Sequence, residues 1–212
     1  MLSGIAQNIA HFFVKTGFIK ESDVEIYAYG YEILISEIIN WIITIVIAIL
    51  TKRVAETIFY TIAFMHLRES IGGFHAKTHL RCTILSALVF IICLWFIYIT
   101  PESIYSILIV GGVALHMFLV LWLAPVAHPN KPFTDKREIS KFRSKSIKLS
   151  VFYSVLCIAL LLLPWKPGKV LSYSVLLGMI SASLSMFYEH VRQNIHSKER
   201  REHNEEFEEG IV

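Results

Sequence analysis

Ile84–Thr100 (ILSALVFIICLWFIYIT) runs without one charged side chain, and its reading decides what kind of molecule this is. A helix needs roughly 20 mainly apolar residues to cross a hydrocarbon core about 30 Å thick. The run is not isolated: Ile38–Leu50, Ile104–Val126 and Leu149–Leu163 carry almost no charge either. Of 212 residues, 55% are hydrophobic and 17% charged, against about 45–50% and about 25% in ordinary soluble domains. With the apolar residues gathered into runs of this length, little sequence is left for a soluble domain. These features describe an all-α, polytopic membrane protein, a single integral membrane domain over residues 1–212.

Working outward from that run, Pro101 closes it, and the next helix extends from Ser103 to about Ala124, where Pro125 stops it. A further helix ends at Pro164, a Trp-Lys-Pro-Gly turn follows, and the last hydrophobic helix covers about Val170–His190. Upstream, Ser22-Asp23 forms a helix cap with Glu25 in the first turn, and that helix runs to about Leu50. A shorter one over about Val54–Ile71 contains Glu56, His66 and Arg68 and is ended by Gly72-Gly73. The pattern gives about six hydrophobic helices, the last four reading as full spans. Residues 4–20 set Ile5, Ile9, Phe12 and Phe13 against Gln7, Asn8 and Lys15, the spacing of an amphipathic helix lying in the membrane interface. Glu32, Glu37 and Asn40 keep the early part of the Ser22–Leu50 helix toward protein, water or headgroups.

Charge gives orientation. The 125–148 connection holds seven Lys/Arg, from Lys131 to Lys148, and the tail from Arg192 to Val212 is highly charged. Under the positive-inside tendency both face the cytoplasm, which brings the 68–80 connection to the same side. Lys52-Arg53 runs against this bias. The net charge of +3 is small and concentrated in loops, so nucleic acid is not an expected partner. Met1-Leu-Ser-Gly lacks the basic and short apolar regions of a removable signal peptide. The cysteines, Cys82, Cys93 and Cys157, show no disulfide or zinc-ribbon spacing. Cys93 and Cys157 fall inside apolar helices and read as packing residues.

The reactive chemistry collects in Arg68–Cys82 (RESIGGFHAKTHLRC), between two apolar runs. Cys82 and His75 have the residue types of a nucleophile and its base. On one straight helix, 75 and 82 share a face but are separated by about 10.5 Å of rise, too far for hydrogen bonding. Gly72-Gly73 supplies a remedy, because glycine lets the chain fold back before the next helix begins near Thr78. Cys82 then sits in or near a first helical turn, where the helix dipole, Lys77 and Arg81 favour the nucleophilic thiolate. A metal at His75, His79 and Cys82 is the rival within the stretch. Zinc peptidases of the HExxH type need Glu directly after the first His; here Ala76 stands there. His79 reads as a helix-start residue, His66 and His116 as buried hydrogen-bonding residues, and His128 as a loop residue. No cofactor or metal is expected.

Arg68-x3-Gly72-Gly73-x-His75-Ala76-x5-Cys82 resembles the signature of the AgrB family, the accessory gene regulator membrane endopeptidases of bacterial quorum sensing. Ala124-Pro125-Val126 followed by Asn130-Lys131-Pro132 resembles that family's second recurring segment, and the likeness covers roughly residues 25–190. The resemblance implies a cysteine endopeptidase of the cell membrane that removes the C-terminal part of an AgrD-like propeptide. It implies Cys82 as nucleophile, His75 as base, and Arg68, Gly72 and Gly73 as a supporting motif. It also suggests a homodimer, for which Gly111-Gly112 or Gly178/Ala182 would let helices approach closely. Arg68 and the 131–148 basic stretch are candidate contacts for substrate acids, with Lys131 foremost, and Glu69 is the nearest candidate for a third, orienting carboxylate. Two other classes compete: a transporter using Glu32, Glu37, Asn40 and His116, and a scaffold that binds a peptide without cutting it.

Overall fold

The computed structural model describes residues 2–74, 79–126 and 135–209, with residues 79–80 and 199–209 as backbone only. The described residues form seven helices: α1 (Leu2–Lys15), α2 (Val24–Leu50), α3 (Val54–Ile71), α4 (His79–Ile99), α5 (Tyr105–Leu123), α6 (Lys136–Leu162) and α7 (Lys166–Glu209). Short 3-10 turns at Glu21–Asp23 and Glu102–Ile104 lead into α2 and α5. Five of these stretches are long and apolar enough to cross a membrane: Glu21–Leu50, Arg81–Ile99, Glu102–Leu123, Lys136–Leu162 and Lys166–Lys198. The protein is therefore a multi-pass, all-α membrane protein. Large apolar side chains such as Ile42, Ile45, Leu88, Trp95, Phe118 and Val155 stand exposed along these helices, as a lipid-facing surface requires.

By contacts the chain divides into two compact units, residues 1–54 with 76–92, and residues 55–75 with 93–212. In the first, α1 packs on the start of α2. Ala6 and Ala10 are buried, and Ala10 clusters with Val24 and Ala28, Val14 and Tyr31 closing the patch. Small residues on the contact face let the two backbones approach, and Phe13 stacks on Tyr31 at 5.7 Å. Ile5 and Phe12 remain exposed, which preserves the amphipathic character expected of residues 4–20. Asp23 sits at the N-cap of α2 as expected, but its side chain makes no capping hydrogen bond.

In the second unit the helices surround α7. Its stripe Val175, Met179, Ala182, Met186 and Glu189 is buried along its length; a spacing alternating between four and three residues keeps these positions on one helical face. Helix α3 runs parallel to α7: Tyr60 donates to Ser181 (3.3 Å) and Phe74 reaches Ser185 (3.1 Å). So does α5, through the Tyr105–Tyr173 stack and His116 Nδ1 at 2.6 Å from Ser183. The end of α4 and the whole of α6 run the other way. Cys93 meets Ser181 and Thr100 meets Tyr173, while Cys157 meets Ser172 and Ser146 meets Ser70.

Two expectations change. The dimer-contact candidates Gly112 and Gly178 are used inside the chain: a Cβ on Gly112 would meet Leu176 at 2.7 Å, and one on Gly178 would meet the Tyr60 carbonyl oxygen at 2.6 Å. The basic stretch read as loop to residue 148 is helical from Lys136. Asp135 caps it by accepting from the Arg137 N–H at 3.3 Å, and no Gly or Pro interrupts the chain before Pro164.

Candidate active site

The turn after α3 is made by its two glycines. Gly72 has φ +80° and Gly73 φ +140°, values that a residue with a Cβ adopts only at a cost. Space is closed as well. A Cβ on Gly72 would run into the Val126 carbonyl, and one on Gly73 into Arg68, Ser185 and the Met186 backbone nitrogen. The predicted glycine break is thus an obligatory one.

This turn joins three other elements. Gly72 forms a parallel backbone bridge with Val126, and the Val126 N–H donates to the Ile71 carbonyl at 3.0 Å. The two sequence segments that carry the family resemblance are therefore paired main chain to main chain. Helix α6 secures both: Arg143 donates to the carbonyls of Leu121 (3.0 Å) and Ala124 (3.3 Å), and Ser146 donates to the Ser70 carbonyl at 2.7 Å.

Arg68 holds the turn from within. Its guanidinium donates to the Gly72 carbonyl at 3.2 Å and to the Phe74 carbonyl. These bonds direct the side chain into the turn. Phe74, partly buried, is held at several points. Its N–H donates to the Ser185 carbonyl (3.1 Å) and lies 3.2 Å from Ser185 Oγ. Its ring meets Tyr188 edge-on at 5.1 Å, and the Arg192 guanidinium lies over it at 5.4 Å. Fully buried beside them is Glu189, which accepts from Arg192 (3.3 Å) and Gln193 (3.0 Å). Glu69, the nearest carboxylate by sequence, is exposed. Glu189 escaped the sequence reading, yet a signal was there, since it continues the apolar stripe of α7 at the same spacing.

The nucleophile candidate Cys82 is the fourth residue of α4, in its first turn as expected. All three cysteines are free, and of them only Cys82 is not buried. Cys93 Sγ lies 3.4 Å from Ser181 Oγ, and Cys157 Sγ bonds the Ser172 carbonyl at 3.2 Å; both are packing residues, as predicted. His116 is buried against Ser183, whereas His66, expected to be buried, is exposed and bonds Tyr153 at 2.6 Å. His75, Lys77 and Thr78, with His128, Asn130, Lys131 and Pro132 of the second segment, lie outside the described residues, as does the His79 side chain.

A second polar feature lies between α1 and α2. Gln7, His11, Glu21, Glu25, Tyr29 and Glu32 line a hollow of about 530 Å³. On α6, Arg137, Lys141, Lys145 and Lys148 line a shallow groove of about 780 Å³ with Ser140 and Ser144. One hollow is acidic and the other cationic.

A family model described as "Accessory gene regulator B" matches residues 6–187. A putative AgrB-like protein of Clostridium perfringens is 28% identical over 163 residues, 74% of this chain and 75% of that protein. Accessory gene regulator protein B of Staphylococcus haemolyticus is 23% identical over 160 residues, covering 74% of this chain and 78% of its own. A putative AgrB-like protein of Clostridium beijerinckii is 26% identical over 137 residues, 64% and 68% of the two chains. No solved structure matches.

Proposed function

The chain belongs to the accessory gene regulator B family, and on that footing we propose that it is a membrane cysteine endopeptidase acting on an AgrD-like propeptide in a quorum-sensing system. The carrying observation is the difference among three cysteines: two are buried and hydrogen-bonded in the bundle, while Cys82 is accessible in the first turn of α4. The hydrogen-bonded Arg68–Phe74 turn immediately precedes His75, the proposed base, in the sequence.

In the proposed reaction His75 takes the Cys82 thiol proton, and the sulfur attacks the scissile carbonyl of the propeptide. The tetrahedral adduct collapses, the peptide C–N bond breaks, and the same proton leaves on the amine of the C-terminal fragment. A thioester to Cys82 remains. A cysteine thiol within the peptide then attacks that carbonyl and forms a new C–S bond, and Cys82 departs as thiol after proton return. The product is a cyclic thiolactone. Exchange between two thioesters is nearly balanced in energy, which explains why sulfur suits this enzyme better than a serine oxygen. Water must be kept from the intermediate, and a site against the bilayer helps exclude it.

The reactive end is assigned to the cytoplasm. In the second unit, the turn at 72–74, Val126, the start of α6 and the Ser185–Arg192 part of α7 share one end of the bundle. That end carries Lys136, Arg137, Lys141, Arg143, Lys145 and Lys148, the excess that the positive-inside rule places in the cytoplasm. Lys131 and Lys136 are the proposed contacts for substrate acids, and the amphipathic leader of a propeptide is proposed to lie along α1. The enzyme is taken to work as a homodimer.

The test is mass spectrometry of the propeptide after co-expression. Cys82→Ala and His75→Ala should leave it uncut, whereas Cys93→Ala and Cys157→Ala should still yield the C-terminal fragment. Cleavage undiminished by Cys82→Ala would favour a transporter or a non-cutting scaffold.

A further inference from the structure

We infer that Glu189 and Arg192 are positioning residues for the reaction proposed above: their ion pair holds Phe74, the residue to which the proposed base is covalently joined. The inference rests on the peptidase reading, but its evidence lies entirely within the second compact unit.

Stability alone does not account for Glu189. The other members of its stripe are Val175, Met179, Ala182 and Met186, all fully or almost fully buried. A buried carboxylate must be paired to be tolerated, and replacing buried ion pairs with apolar side chains of similar size is often neutral or stabilising. A methionine would therefore serve a purely structural stripe as well. What the carboxylate adds is direction. It draws Arg192 back along α7 at 3.3 Å, and the guanidinium comes to rest over the Phe74 ring at 5.4 Å. Tyr188 closes the ring from its edge at 5.1 Å.

Phe74 is thereby held through its N–H, its carbonyl and its ring. A residue that merely joined two helices would need none of this. The next residue is the proposed base, which must come within about 3 Å of the proton it takes. Displacing a reacting group by about 1 Å can cost roughly a hundredfold in rate. Arg68 and Ser185 set the backbone of Phe74, and the Glu189–Arg192 pair sets its ring.

The experiment uses the full-length protein in nanodiscs with a synthetic propeptide, separating kcat from KM. Glu189→Gln, Glu189→Met and Arg192→Gln should fold, as judged by an unshifted elution volume and unfolding temperature. They should lower kcat by about tenfold or more with little change in KM. Arg192→Lys, which keeps a cation for the ring, should recover much of the loss. Wild-type kcat in Glu189→Met, a loss confined to KM, or Arg192→Lys no better than Arg192→Gln would each overturn the inference. Cys82→Ala and His75→Ala are run alongside. If they are inactive while the Glu189 variants match wild type, only the positioning role fails; if they too retain full activity, the peptidase reading fails first.

Discussion

Gly72 and Gly73 illustrate how a single residue can be required twice over, once by backbone angle and once by space. A side chain at either must adopt a positive φ, a strain of about 1–3 kcal/mol, and must also displace the Val126 carbonyl or the Met186 nitrogen. Gly72→Ala and Gly73→Ala should each lower the unfolding free energy by at least about 1–3 kcal/mol and abolish cleavage. Tryptophan fluorescence during denaturation in detergent, paired with the propeptide assay, checks both. The glycine break after α3 and the place of Cys82 near the start of α4 were legible, because a Gly-Gly pair between two apolar runs marks where one helix ends and the next begins. Glu189 was not, since a glutamate just ahead of a charged tail reads as the beginning of that tail. Only the stripe running back to Val175 reveals that it faces inward.

At the scale of the helix, close approach is the recurring device. Gly178 lets α7 touch the backbone of α3, and a Cβ there would sit 2.6 Å from the Tyr60 carbonyl oxygen, whereas one on Gly111 would meet nothing within 4 Å. Gly178→Ala should therefore destabilise the bundle by about 1–3 kcal/mol, as overpacking does. Gly111→Ala should be neutral or stabilise by up to about 1 kcal/mol through its better helix propensity. Thermal unfolding of the two variants in one detergent separates the cases. Helix boundaries were largely readable, because Pro101, Pro125 and Pro164 and the Gly72-Gly73 pair punctuate the apolar runs. The start of α6 was missed because its charges suggested solvent and therefore loop. A helix can carry such charges on an exposed face while Ser146 and Ser150 are buried on the other. Helix α3 is not among the five stretches long and apolar enough to cross a membrane, although within the second unit it lies parallel to α7.

For the whole molecule, the alternation of helix directions in the second unit puts Ala55, Thr100 and Leu163 at the end opposite the Gly72 turn. In a Cys82→Ser background, Glu102→Cys should react with an impermeant maleimide added to intact cells, and Lys52→Cys should react from that same side. Ser197→Cys should react only after permeabilisation. Lys52→Cys protected in intact cells would mean that charge, not the course of α3, decides where that connection lies.

Helix α7 has 44 residues, a rise of about 66 Å, against a hydrocarbon layer about 30 Å thick. No tilt compatible with its packed neighbours hides that excess. The surplus forms a stiff mast, so a reporter fused after residue 212 would be borne on a rod for most of its distance from the Gly72 turn, with little of the slack that a flexible tether gives.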